Sequence, residues 1–201
     1  MNRGLIFPEG IQRGDVNLTQ QARFRVVYDG VGSININARN LELTEQSELY
    51  AGIAEDLGTS ESQAGDININ ATESVRIIGS GGVGEDTSAF INGVILDENN
   101  YDTGIRNLVG LRPDGFDNRP NLGRNPKSES TAIGNGGAIN IETSLLEISG
   151  RSSIYNVAYG EGSTGNTNIL ANDIIIEEVS ILNRVFSGTE STGSINGDFA
   201  G

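Results

Sequence analysis

GAINIETSLLEISG, residues 137–150, and GNTNILANDIIIEE, residues 165–178, are two copies of one phrase whose opening glycines lie 28 residues apart. Each starts Gly-x-apolar-Asn-apolar, with Thr167 standing in an apolar place, and continues to an apolar pair at alternate positions, Leu146 with Ile148 and Ile174 with Ile176. Alternation over short runs is the mark of a half-buried strand, and no segment offers capped helical periodicity. The same opening recurs at GDVNL from Gly14, GSINI from Gly32, GDINI from Gly65 and GSING from Gly193, where Gly197 takes an apolar place. Successive anchors are separated by 18, 33, 72, 28 and 28 residues, and 72 is too long for one turn. Further apolar pairs follow most anchors: Phe24 with Val26, Leu41 with Leu43, and Val75 with Ile77. A third patch aligns Leu49, Ile154 and Leu182, each with a serine two residues earlier at Ser47, Ser152 and Ser180.

Repetition at this level predicts stacked coils, because stacking puts equivalent residues directly above one another. The expected fold is all-β: a right-handed parallel β-helix, a pectin-lyase-like solenoid, of about six coils. Strands roughly 4.8 Å apart would make it a rod ~25–30 Å long. A lone coil buries too few side chains to offset the backbone entropy of ordering it, so stability must come from the stack. Residues 1–201 read as one unit, and both ends read as cut from something longer.

Composition fits such a rod. There are 28 glycines, only 36% hydrophobic residues and a formal charge of −14. That charge argues against nucleic acid and anionic membrane surfaces, where basic residues are needed. Cysteine and histidine are absent, which removes disulfides, thiolate metal sites and the commonest general base. No apolar run is long enough to span a membrane and no signal peptide is recognisable.

The stretch GNGGAINIETSLLEISGRSSIYNVAYGEGSTGNTNILANDIIIEEVSIL, from Gly134 to Leu182, resembles the filamentous-haemagglutinin-type exoproteins that bacteria export by two-partner secretion. AGDININATESVRIIG, from Ala64, is a second match, and the likeness covers Gly32 to Ile78 and Gly134 to Asn196. The resemblance implies a noncatalytic shaft fragment of a secreted or cell-surface adhesin-like protein. It also implies an outer-membrane secretion transporter as partner of the full-length protein, and a host-cell or matrix glycan as the contact outside. The family's amino-terminal secretion domain has no counterpart in this chain.

Three features compete as sites. Asn17, Asn35, Asn68, Asn140, Asn168 and Asn196 share one anchor position. Period-two geometry turns them outward, where stacked amides form a structural ladder or a polar stripe for carbohydrate. GGVGEDTSA, from Gly81 to Ala89, resembles a calcium-binding nonapeptide, but Ser88 occupies the apolar position and no tandem copy follows; no cofactor or metal is expected. Residues 79–136 break the repeat and read as an irregular loop excursion, acidic at Asp97, Glu98 and Asp102. It then turns basic, with Arg106, Arg112, Arg119, Arg124 and Lys127 around Asp114 and Asp117. Recognition residues concentrate on loops held by rigid scaffolds, so these seven are the candidate surface recognition loop. Two other function classes remain open. A polysaccharide lyase or hydrolase would use Arg106, Arg112, Asp114 and Asp117, and a fibre segment would self-associate end to end.

Overall fold

The computed structural model describes residues 13–54, 56–79, 103–110, 131–150, 152–177, 180–185 and 195–199. Every described element is a strand: β1 (Val16–Leu18), β2 (Arg23–Tyr28), β3 (Ile34–Leu43), β4 (Glu48–Ile53), β5 (Gly58–Gln63), β6 (Ile67–Ile78) and β7 (Thr103–Val109). There follow β8 (Ile133–Asn135), β9 (Ile139–Ser149), β10 (Ser152–Ala158), β11 (Thr167–Glu177), β12 (Ser180–Val185) and β13 (Ile195–Phe199). They form three sheets, and all strand pairs are parallel. The first sheet has the order β1-β3-β6-β9-β11-β13, the second β12-β10-β7-β4-β2, and the third contains β5 and β8. In each sheet, neighbours are successive visits of the chain.

The registers show why the repeat takes this form. Ile34, Ile67, Ile139 and Thr167 align in the first sheet, as do Leu43, Ile77, Ile148 and Ile176. Leu49, Ile105 and Ile154 align in the second. The inward side chains of the two sheets make one core, including Leu41, Leu43, Leu49, Ile67, Ile77, Ile105, Ile139, Ile148 and Ile154. A smaller core of Ile53, Ala64, Val109, Ala132 and Ala158 fills the corner beside the third sheet.

Anchor glycines are required by close approach. A Cβ on Gly65 would lie 1.7 Å from the Gly32 carbonyl oxygen, and one on Gly137 or Gly165 would lie 2.3 Å from that of Gly65 or Gly137. Between the first and second sheets the chain turns through paired left-handed residues, Gln20–Gln21 and Glu45–Gln46. These turns stack too: the Gln20 N–H donates to Glu45 Oε2 at 2.9 Å and Gln21 Nε2 to Gln46 Oε1 at 3.1 Å.

Four sequence expectations need correction. GDVNL is not an anchor: Val16 pairs with Leu41 and Leu18 with Leu43, so Asn17 sits opposite Glu42 rather than Asn35. The inward Val-x-Leu matched the second apolar pair of the next strand, and a Cβ on Gly14 would touch nothing within 4 Å. Phe24 and Val26 belong to the second sheet, opposite Leu49 and Ala51. In the third patch the register places Ile181, not Leu182, beside Ile154, and Ser180 beside Ser153. Finally, among the described residues the 72-residue interval contains one strand in each sheet, β6, β7 and β8, and β9 pairs directly with β6.

Candidate functional site

The outer asparagine positions form a continuous hydrogen-bonded row. Asn68 Nδ2 donates to Asn35 Oδ1 at 2.9 Å, Asn140 to Asn68 at 2.7 Å, and Asn168 to Asn140 at 2.7 Å. Backbone register continues the row to Asn196. Asn68 and Asn140, inside the row, each donate to one neighbour and accept from the other. Beside it runs an ionic row in which Arg76 reaches Glu42 at 2.9 Å and Glu147 at 2.8 Å. These are side chains committed to their neighbours above and below.

Arg106 does not sit in a loop. It lies on β7, in register with Tyr50 of β4 and Tyr155 of β10, on the face of the second sheet turned away from the main core. Its guanidinium bonds Glu48 Oε2 at 3.0 Å. Glu48 also takes Arg25 at 2.5 Å and Arg23 at 3.7 Å, although its own side chain is only 4% exposed. Three cations around one buried carboxylate offset its desolvation cost. The Arg25 guanidinium lies 5.8 Å from the Tyr50 ring centroid, within range of a cation–π contact. Tyr50, Leu108, Tyr155, Val157 and Tyr159 form a separate buried cluster on the same face.

Burial pushes the Tyr50 phenol well above its ordinary pKa, and Glu48 adds to the rise against the opposing pull of Arg106 and Arg25. Burial likewise raises Tyr159, followed by the influence of Tyr155. Both phenols therefore stay protonated at neutral pH and can donate hydrogen bonds, but they are poor bases or nucleophiles. Arg112, Asp114, Asp117, Arg119, Arg124 and Lys127, and the segment Gly81 to Ala89, lie outside the described residues. Among the described residues no group of three acidic, cysteine or histidine side chains could hold a metal ion.

Two features escaped the sequence reading. One is an inner asparagine pair on β7 and β10. Buried Asn107 donates to the Gly65 carbonyl at 2.9 Å and accepts from the Gly137 N–H at 3.3 Å, and Asn156 donates to the Gly137 carbonyl at 3.0 Å. These amides satisfy the backbone groups of the glycine turns that could not accept a side chain of their own. Ile105-x-Asn107 and Ile154-x-Asn156 carried that signal. The other is an open groove of about 590 Å³ between two layers of turns, lined by residues including Asp29, Ser33, Thr59, Glu61, Ser62 and Asp66. Several of these polar groups are already engaged: Ser62 Oγ accepts the Thr59 N–H at 2.9 Å, and Asp66 Oδ1 accepts the Ala138 N–H at 2.7 Å.

Comparison of the chain with protein-family models, with curated proteins and with solved structures finds no match.

Proposed function

We propose that the chain winds as a right-handed parallel β-helix of about six coils and acts as a noncatalytic shaft segment of a secreted bacterial surface protein of the filamentous-haemagglutinin type. The observation that carries this reading is the strand order. Each sheet takes its strands in the order of the chain, all parallel, and parallel crossovers in one sheet are right-handed in nearly every case. The side-chain rows favour a structural role, because Asn35 to Asn168 and Glu42, Arg76 and Glu147 spend their polar groups on neighbouring layers. A shaft needs such rows, whereas a glycan-cleaving site needs carboxylates free to act as acid and base.

In the full-length protein, the outer-membrane transporter would carry the shaft out and a host-cell or matrix glycan would be its contact. Fused behind a two-partner secretion domain, the chain should reach the cell surface as a protease-resistant rod. Export failure with a secretion-competent control would overturn the shaft role, and calcium-dependent release of unsaturated sugar from polyuronides would overturn its lack of chemistry.

A further inference from the structure

Asn135, the last residue of β8, is followed by Gly136, and the same Asn–Gly step occurs at Asn92–Gly93 and Asn196–Gly197. This step is prone to lose ammonia, because glycine leaves its backbone nitrogen open to attack on the neighbouring side chain. At Asn135 both adjoining layers hold it. The Asn135 carbonyl accepts the Ala64 N–H at 2.8 Å from one layer, and the Gly136 N–H donates to the Ser163 carbonyl at 2.7 Å in the other. Gln63 Nε2 donates to the Gly136 carbonyl at 2.8 Å, and Ser163 Oγ donates to Asn135 Oδ1 at 2.8 Å. Gly136 itself is buried.

We propose that Asn135–Gly136 is a latent modification site, silent while the layers on either side of β8 stay paired and converted to aspartate and isoaspartate, with water as co-reactant, once they part. The site depends on the pairing of the third sheet and not on the role proposed above. In the reaction the Gly136 nitrogen gives up its proton and bonds Asn135 Cγ, and the side-chain nitrogen leaves as ammonia. Water then opens the five-membered imide at either carbonyl. Closing that ring turns the peptide group between the two residues until its nitrogen meets the Asn135 side chain. In a parallel strand ψ is about +115°, which points that nitrogen away. The rotation must break the bonds to Ala64 and Ser163 together, and the attacking nitrogen is the one that the Ser163 carbonyl holds. Aspartate keeps the main chain as it was. Isoaspartate routes it through the side chain and adds a methylene, so the spacing after β8 no longer matches Ala64 and Ser163. The mark is therefore one-way: a layer that has opened and reacted cannot pair as before. Gly162 keeps the second layer close, since a Cβ there would overlap the Gly134 carbonyl oxygen.

Peptide mapping by mass spectrometry at mildly alkaline pH, with the chain native and in urea, follows ammonia loss and isoaspartate at Asn135. In urea Asn135 and Asn92 should react at similar rates, which shows that the chemistry runs. In the native chain Asn135 should react at least about tenfold more slowly than in urea, as expected of a site open less than about a tenth of the time. Hydrogen exchange should find the native Gly136 amide protected. Gly162→Val pushes its segment off β8 and should restore most of the urea rate at Asn135 while Gly136 loses protection. Ser163→Ala removes only the hydroxyl that donates to Asn135 and should keep both the slow rate and the protection. In every variant the rate at Asn135 should follow the exchange at Gly136. A native rate equal to the urea rate would overturn the proposal, and so would slow reaction with free exchange or fast reaction with full protection.

Discussion

The first and second sheets are built from one repeating chain, yet they carry opposite burdens. The first buries one face: along β9 the inward Ile139, Ile141, Leu146 and Ile148 are buried while Asn140, Glu142 and Glu147 keep contact with water. The second buries both faces of its inner strands. All residues of β4 and β10 are buried, with aliphatic side chains towards the main core and Tyr50, Tyr155 and Glu48 on the other face. Identical polar chemistry should therefore be cheap to remove from the first sheet and costly to remove from the second.

Carboxylate removal is the sharpest way to break that comparison. Glu48→Ala leaves Arg23, Arg25 and Arg106 crowded on a buried face without their shared anion. The expected loss is about 3–5 kcal/mol in urea unfolding. Glu147→Ala removes one of two partners from the half-exposed Arg76 and should cost less than ~1 kcal/mol. Equal losses would end the distinction between the sheets.

Asparagine gives a smaller version of the same contrast. Asn107→Ala strands the Gly65 carbonyl and the Gly137 N–H inside the protein, for an expected loss of roughly 2–3 kcal/mol. Asn140→Ala interrupts the outer row, but water reaches its neighbours, and about 1 kcal/mol or less is expected. Thermal and urea unfolding of the two variants side by side would measure the difference. A larger loss at Asn140 would mean that the outer row, not the inner pair, holds the layers together.

The same asymmetry decided what was legible in the sequence. Strands of the first sheet announce themselves, since Ile-Asn-Ile alternation follows directly from one wet face and one dry one. The inner strands β4, β7 and β10 of the second sheet have no wet face to mark them. TGIRNLV, which is β7, therefore read as part of a loop, and Arg106 as a solvent-facing recognition residue, when its charge is matched by Glu48 two strand positions away on the neighbouring strand's face. The offset at Ile181 has a related cause: SILNRV contains two adjacent aliphatics, and only the register decides which one lies opposite Ile154. Gly14 misled for the opposite reason, because a five-residue match ignores which half of a long strand it will cover. Of the candidate recognition residues, Arg106 alone falls among the described residues.

The smallest effect expected is one of titration rather than stability, and it belongs to the wet side of the first sheet. Arg39 donates to Asp15 at 2.6 Å and Asn40 donates to it at 2.9 Å, tying the segment before β1 to β3. The Arg39 hydrogen bond, and after it that of Asn40, lowers the Asp15 pKa to about 2. A lowered carboxylate pKa means that the pair favours the folded state above the ordinary value near 3.8 and that this preference fades as pH falls towards 2. Both partners are solvent-exposed, so screening keeps the pair's share of stability small, and that share follows the same titration. Carboxyl carbon shifts followed by NMR should put the Asp15 midpoint near 2 in the wild type. In Arg39→Gln it should rise part of the way back, since Asn40 still donates. An unshifted midpoint in that variant would mean that the outer face of the first sheet holds its charges by means other than the pairs across its strands, and the contrast with the Glu48 cluster would lose its physical basis.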